Sequence, residues 1–190
     1  MTMRDRRLLC FIAGSTLLVA VYGQWTATLA PYLAEDIAGG VEIFAYIVSI
    51  NGAVVILGNP LARRFVERTG PLTALPTGCA FFIMSQFGFL VSEALTGFAI
   101  SMIVFTIGEI LVLPSEYAMV DEISTVQNRG TSFGGHSISM LGSFLGPTLG
   151  GLAHSAFGGT AMFAVYALLA AGGALAFCVG VQMPLPVQRD

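Results

Sequence analysis

Six apolar stretches follow one another with short gaps, at about 8–33, 43–62, 72–91, 95–113, 133–153 and 160–181. A helix rises about 1.5 Å per residue, so roughly 20 apolar residues cross the hydrocarbon core of a bilayer. Each stretch meets that length, and together they leave no room for a soluble domain. The charges between them are sorted. Arg4, Arg6 and Arg7 precede the first stretch, and Arg63, Arg64 and Arg68 lie between the second and third. Arg129 lies between the fourth and fifth, Arg189 follows the sixth, and the chain has no lysine. The alternate gaps hold Glu35, Asp36 and Glu42, then Glu93, then no charge. Arginine is retained on the cytoplasmic side during insertion. The pattern predicts an all-α polytopic membrane protein with six transmembrane helices and both termini in the cytoplasm.

Composition agrees. A mean hydropathy of +0.82 with 10% charged residues describes a chain dissolved mainly in lipid. The first stretch, preceded by arginines, has the look of a secretory leader, but it is too long for one and five more spans follow. We read it as a span. Cys10, Cys79 and Cys178 lie in or at the edges of different spans with no CxxC pair. They are expected to be small packing residues, with no metal and no cofactor.

Glycine and proline punctuate the spans. Gly39-Gly40 and Phe157-Gly158-Gly159 are turn signals on the outer side, and Thr69-Gly70-Pro71 ends one helix and starts another on the inner side. Gly142, Gly146 and Gly150 repeat every four residues in the fifth span and form one smooth face. Lipid gives little hydrophobic drive between helices, so small residues permit the close approach that holds them together. Pro60, Pro76, Pro114 and Pro147 lie in or at the ends of spans, where they permit bends.

Among polar residues Glu109 is the sharpest. It is the one acid far from a span end, and burial favours the protonated form that a proton-coupling site requires. Met102, Thr106, Glu109, Leu113 and Glu116 follow helical spacing and put the polar groups on one face. A structural carboxyl bonded to a neighbouring helix is the competing reading. In the first span Ser15, Tyr22, Trp25 and Thr26 share a face, with Gln24 beside it. Tyr22, Gln24 and Trp25, with Asn51 in the second span, are candidate contacts in a substrate cavity. Gln86 in the third span is another isolated polar group. Arg63, Glu67 and Arg68 face Glu116, Asp121 and Glu122 on one side of the membrane, where opposite charges could latch and part.

Enzyme chemistry finds little support. Gly135-His136-Ser137-Ile138-Ser139 begins like a hydrolase nucleophile elbow, but its fifth residue is not glycine and its setting is a membrane helix. No catalytic residue and no nucleic-acid partner is expected.

The stretch from Gly142 through Gly146-Pro147 to Gly150-Gly151 resembles the G-x-x-x-G-P-x-x-G-G signature of the major facilitator superfamily, especially its drug:proton antiporters. Glu67-Arg68-Thr69-Gly70 is similar to that family's acid-Arg-x-Gly loop. There Arg63 stands where a glycine is usual, and Pro71-Leu72 replaces a basic pair. Gly108-Glu109-Ile110-Leu111 with Pro114 resembles the tenth helix of such transporters, and Tyr22-Gly23-Gln24 through Pro31-Tyr32-Leu33 the seventh. The resemblance covers nearly the whole chain but half a transporter. It implies a C-terminal six-helix half made of two inverted three-helix repeats, with substrate between two such halves. It also implies proton-coupled efflux by alternating access, with Glu109 as proton carrier and Gly142, Gly146, Pro147, Gly150 and Gly151 as packing and gating residues. The lipid bilayer of the plasma membrane is the expected setting. A small-molecule substrate and a homodimer or separate N-terminal half are the expected partners. The alternative is a non-transporting membrane scaffold or regulatory remnant of a transporter.

Overall fold

Apolar segments in lipid must satisfy their own backbone groups, and helices do so within one segment. A computed structural model describes residues 6–124 and 129–182, with no strand among the described residues. Arg4 and Arg189, two of the arginines in the charge pattern, lie outside them. The helices are α1 (Arg6–Tyr22), α2 (Ala30–Asp36), α3 (Gly40–Thr69), α4 (Pro71–Val91), α5 (Leu95–Ile123), α6 (Arg129–His136), α7 (Gly142–Phe157) and α8 (Gly159–Gln182). A π-turn, Trp25–Leu29, joins α1 to α2, and a 3-10 turn, Ser137–Leu141, joins α6 to α7. Among the described residues, five stretches are long and apolar enough to cross a membrane: Arg6–Asp36, α3, α4, α5 and α8. The fifth apolar stretch of the sequence, expected as one helix, is instead the succession α6, 3-10 turn and α7.

Two helices outrun their apolar stretches. α3 continues past residue 62 and carries Arg63, Arg64, Glu67 and Arg68 on its last turns, and α5 continues past residue 113 to Ile123. A helix keeps its backbone bonded whether its side chains meet lipid or water, so hydropathy underestimates helix length. Gly70 and Gly158 end α3 and α7 at φ of 79° and 81°, where a side chain would be strained. Each gives its N–H to the carbonyl four residues back, Val66 and His154, at 2.8 Å.

The packing repeats itself. α1 packs on α7 and α8, and α5 packs on α3 and α4, while α4 and α8 meet across the middle. Exchanging the first three spans for the last three maps this arrangement onto itself. Aromatic rings fill the centre: Phe82 of α4 lies 5.0 Å from Phe105 of α5, and Phe89 of α4 lies 6.0 Å from Phe163 of α8 between ring centroids. Few residues of α3 and α7 are buried, and those of α7 are Gly142, Gly146 and Gly150. A Cβ at Gly142 or Gly146 would overlap the α1 backbone at Thr16 or Ala20, and one at Gly150 would overlap the Tyr166 hydroxyl. The glycine face of the fifth span is therefore a contact surface, as its spacing predicts. Gly151 faces open space. Large apolar residues such as Ile56, Leu57, Phe144, Leu152 and Leu168 stand exposed on the outside. Such a surface suits lipid and not water.

Candidate functional site

Asn51 sits midway along α3 and turns toward α5. Its amide nitrogen donates to the Thr106 hydroxyl oxygen at 2.9 Å and to Glu109 Oε2 at 3.0 Å. The Thr106 hydroxyl gives its own hydrogen to the Met102 carbonyl one turn back at 2.7 Å, leaving its oxygen free to accept. Asn51 thus spends both amide hydrogens on neighbours one turn apart on α5. Thr106 is buried, while Asn51 and Glu109 are half-buried. Of the residues that share a face of α5, Thr106 and Glu109 are the two that Asn51 meets from α3.

The first span supplies the next wall. Tyr22 ends α1, its ring 6.4 Å from that of Phe82, and it lies close enough to Glu109 and Glu116 to interact electrostatically. Trp25 opens the π-turn and packs against Phe44 of α3, with 6.2 Å between ring centroids. Both are half-buried. Gln24 goes elsewhere. It is wholly buried, and the Thr28 hydroxyl oxygen sits 2.9 Å from its main-chain oxygen and 2.7 Å from its side-chain Oε1. The Thr28 oxygen is also 3.0 Å from the Tyr166 hydroxyl of α8, which donates to the Gly146 carbonyl of α7 at 3.0 Å. Gln24 belongs to a knot joining three spans, not to a cavity wall. The shared face of Ser15, Tyr22, Trp25 and Thr26 also breaks up: Ser15 is buried and Thr26 exposed. That face assumed an unbroken helix. The regular α-helical ladder instead stops at Tyr22 and the chain continues from Trp25 in a wider turn, which rotates everything after it. Such turns are frequent at functional sites.

The charged cluster assembles differently from the expected latch. Arg63 Nε bonds Glu67 Oε1 on its own helix at 2.8 Å, with both side chains exposed. Asp121 pairs with Arg129. Among the described residues no ion pair joins α3 to α5, and none involves Arg68 or Glu116. Glu116 is not at the surface: it is 1% exposed. The extension of α5 to Ile123 moves the helix end two turns beyond it. At the acidic ends of the spans His154 of α7 meets Asp36 of α2, with 2.7 Å between Nε2 and Oδ2. The edge-on ring of Tyr32 lies against His154. The sequence reading counts Asp36 only among the charges of an alternate gap, and nothing in either segment says that it meets His154. Pro147 lies inside α7, half-buried beside the glycine face.

The family model described as Major Facilitator Superfamily matches residues 8–189 of this chain. The chain belongs to the major facilitator superfamily. Among relatives within this superfamily, an uncharacterised MFS-type transporter of Bacillus subtilis, YqjV, is 29% identical over 88% of this chain and 42% of its own length. The similarly described YdeE of Escherichia coli is 24% identical over 88% of this chain and 43% of its own. Multidrug resistance protein 1 of Bacillus subtilis is 28% identical over 89% and 44%. The chain thus spans less than half the length of these relatives. Its helices correspond to half of a major facilitator transporter, and the setting is a lipid bilayer crossed several times.

Proposed function

We propose that this chain forms the six-helix half of a proton-coupled transporter that exports a small molecule by alternating access. The observation that carries the reading is Glu109, an acid at mid-span held by Asn51 from the facing helix. A carboxyl in hydrocarbon is costly, and it is commonly retained where a proton or an ion is handled. Asn51, which bonds Glu109, Tyr22, which interacts with it electrostatically, and Trp25, three residues beyond Tyr22, are the proposed substrate contacts. Export is supported by the relative named for multidrug resistance. The arginine alternation supports both termini in the cytoplasm. A second six-helix unit, from a further polypeptide segment, a separate chain or a second copy, would close the cavity beside the open faces of α3 and α7.

The test is proton movement in proteoliposomes holding the full chain, alone and with a six-helix partner, on addition of a panel of small organic cations and neutral drugs. Substrate-dependent proton flux is expected, and Glu109→Gln should abolish it. Transport with unchanged pH dependence in that variant would remove Glu109 from the mechanism. Absence of transport in every assembly would favour the scaffold role.

A further inference from the structure

The three gaps opposite the arginines carry Glu35, Asp36, Glu42 and Glu93, and among the described residues there His154 is the one side chain that can become positive. It is seated in that acidic rim. Asp36 Oδ2 lies 2.7 Å from its Nε2, and the imidazole is 21% exposed against 48% for the carboxylate. The Tyr32 ring stands edge-on to it at 5.7 Å between centroids. Tyr32 in turn meets Phe163 edge-on at 5.2 Å, and a Cβ at Gly159 would overlap its ring, so α8 fixes this seat from two sides. Of the elements packed on α7, the π-turn and the 3-10 turn carry no titratable side chain. At this end α8 brings Tyr166, whose hydroxyl is turned to Gly146, and α1 brings Tyr22. Glu35 stands exposed beside Asp36, and Glu42 lies in the first turn of α3, on which α2 packs.

Asp36 belongs to a segment that is hinged. The α-helical ladder stops at Tyr22, Ala30 then gives its N–H to the Trp25 carbonyl five residues back, and Pro31 has no N–H to give. α2 is therefore a short helix on a weakened connection, and Asp36 and Tyr32 tie it across to His154. We propose that His154 and Asp36 form a proton-operated clasp that pins α2 to α7, with the π-turn as its hinge. Imidazole is the side chain that changes charge between about pH 5 and 8. When protonated, its Nε2–H donates to a carboxylate of opposite charge, a bond about twice as strong as a neutral one. When neutral it loses the charge, and in the tautomer protonated at Nδ1 its Nε2 lone pair faces those of Oδ2. Acid on this side closes the clasp and base loosens it. Trp25 opens the hinge, so the clasp reaches the cavity through it; this last link alone rests on Trp25 as a substrate contact.

The mobility of a nitroxide on α2, in the full chain in lipid vesicles, reads the clasp directly. The label is carried by Ala34→Cys, an exposed position, with Cys10→Ser and Cys178→Ser and with buried Cys79 retained. It should be held at about pH 5.5 and move at least about twofold faster at about pH 8.5. His154→Gln and Asp36→Asn should each remove that step and leave the label mobile at both pH values. The step should persist in His136→Gln, which alters the other histidine. It should persist in Glu109→Gln as well, so a failure of the clasp and a failure of transport are told apart. Equal mobility at both pH values in the labelled parent would overturn the proposal. So would a step of unchanged size in His154→Gln or Asp36→Asn, or one that disappears in His136→Gln.

Discussion

Asn51 and Glu109 are 58 positions apart in the sequence and 3.0 Å apart at Nδ2 and Oε2. The bond crosses from the second span to the fourth, near the middle of both helices. It is one of few side-chain ties that α3 has, because most of its surface is open. Thr106 takes the other amide hydrogen, so the Asn51 side chain is held in a single orientation.

Replacing Asn51 by leucine keeps the size and deletes both bonds. Polar ties between membrane helices are worth about 0.6–1.7 kcal/mol. Asn51→Leu should lower the unfolding free energy in mixed micelles by about 1–2 kcal/mol, from the two lost bonds and the Glu109 oxygen left without its donor. Stability equal to the wild type would mean that the bridge contributes nothing to the fold.

The glycine face offers an internal control. Gly150 and Gly151 are neighbours, yet a Cβ on Gly150 would overlap the Tyr166 hydroxyl while one on Gly151 meets nothing within 4 Å. Gly150→Ala is expected to cost about 1–3 kcal/mol through overpacking. Gly151→Ala should stay within about 0.5 kcal/mol of the wild type. Equal effects in thermal unfolding would contradict the packing of α7 against α8.

Thiol labelling reads burial directly. Cys79 is buried, Cys10 half-buried and Cys178 exposed. Membrane-permeant bimane should label Cys178 first and leave Cys79 untouched until the chain is denatured. Fast labelling of Cys79 in the folded protein would place α4 differently among its neighbours.

Arg63 and Glu67 form a surface pair within one helix, with side-chain exposures of 82% and 59%. Solvent weakens such pairs to a few tenths of a kcal/mol. Arg63→Gln should therefore change stability by less than about 0.5 kcal/mol in a chemical denaturation series. A loss several times larger would show that Arg63 is engaged across helices.

Several elements of the site were legible in the residues. Glu109 stands out because a carboxyl amid Ile107, Ile110 and Leu111 calls for either a proton to carry or a partner on a neighbouring helix, and Gly142, Gly146 and Gly150 announce a contact face by spacing alone. What could not be read was who meets whom. Asn51 and Glu109 were each singled out, but nothing in either stretch says that the two helices turn these faces together. Gln24 was assigned to a cavity because an unbroken helix was assumed through Gly23. Glu116 is expected in a latch at the charged end of the fourth span because the apolar run ends before it, although the folded chain buries it.

The sequence by itself determined the succession of apolar segments, their short connections and the polar positions within them. Hydropathy and turn signals are summed over neighbours in the chain, so they need no knowledge of the rest of the molecule. Only the tertiary structure decided the rotation of each helix about its axis and the turns where winding changes. Those depend on atoms contributed by distant segments: Ala20 against Gly146, Tyr166 between Thr28 and Gly146, and Asn51 against Thr106 and Glu109. In lipid the hydrophobic effect hardly distinguishes one apolar face from another. Close packing and a few polar ties therefore settle the rotation, and neither can be read from one segment alone.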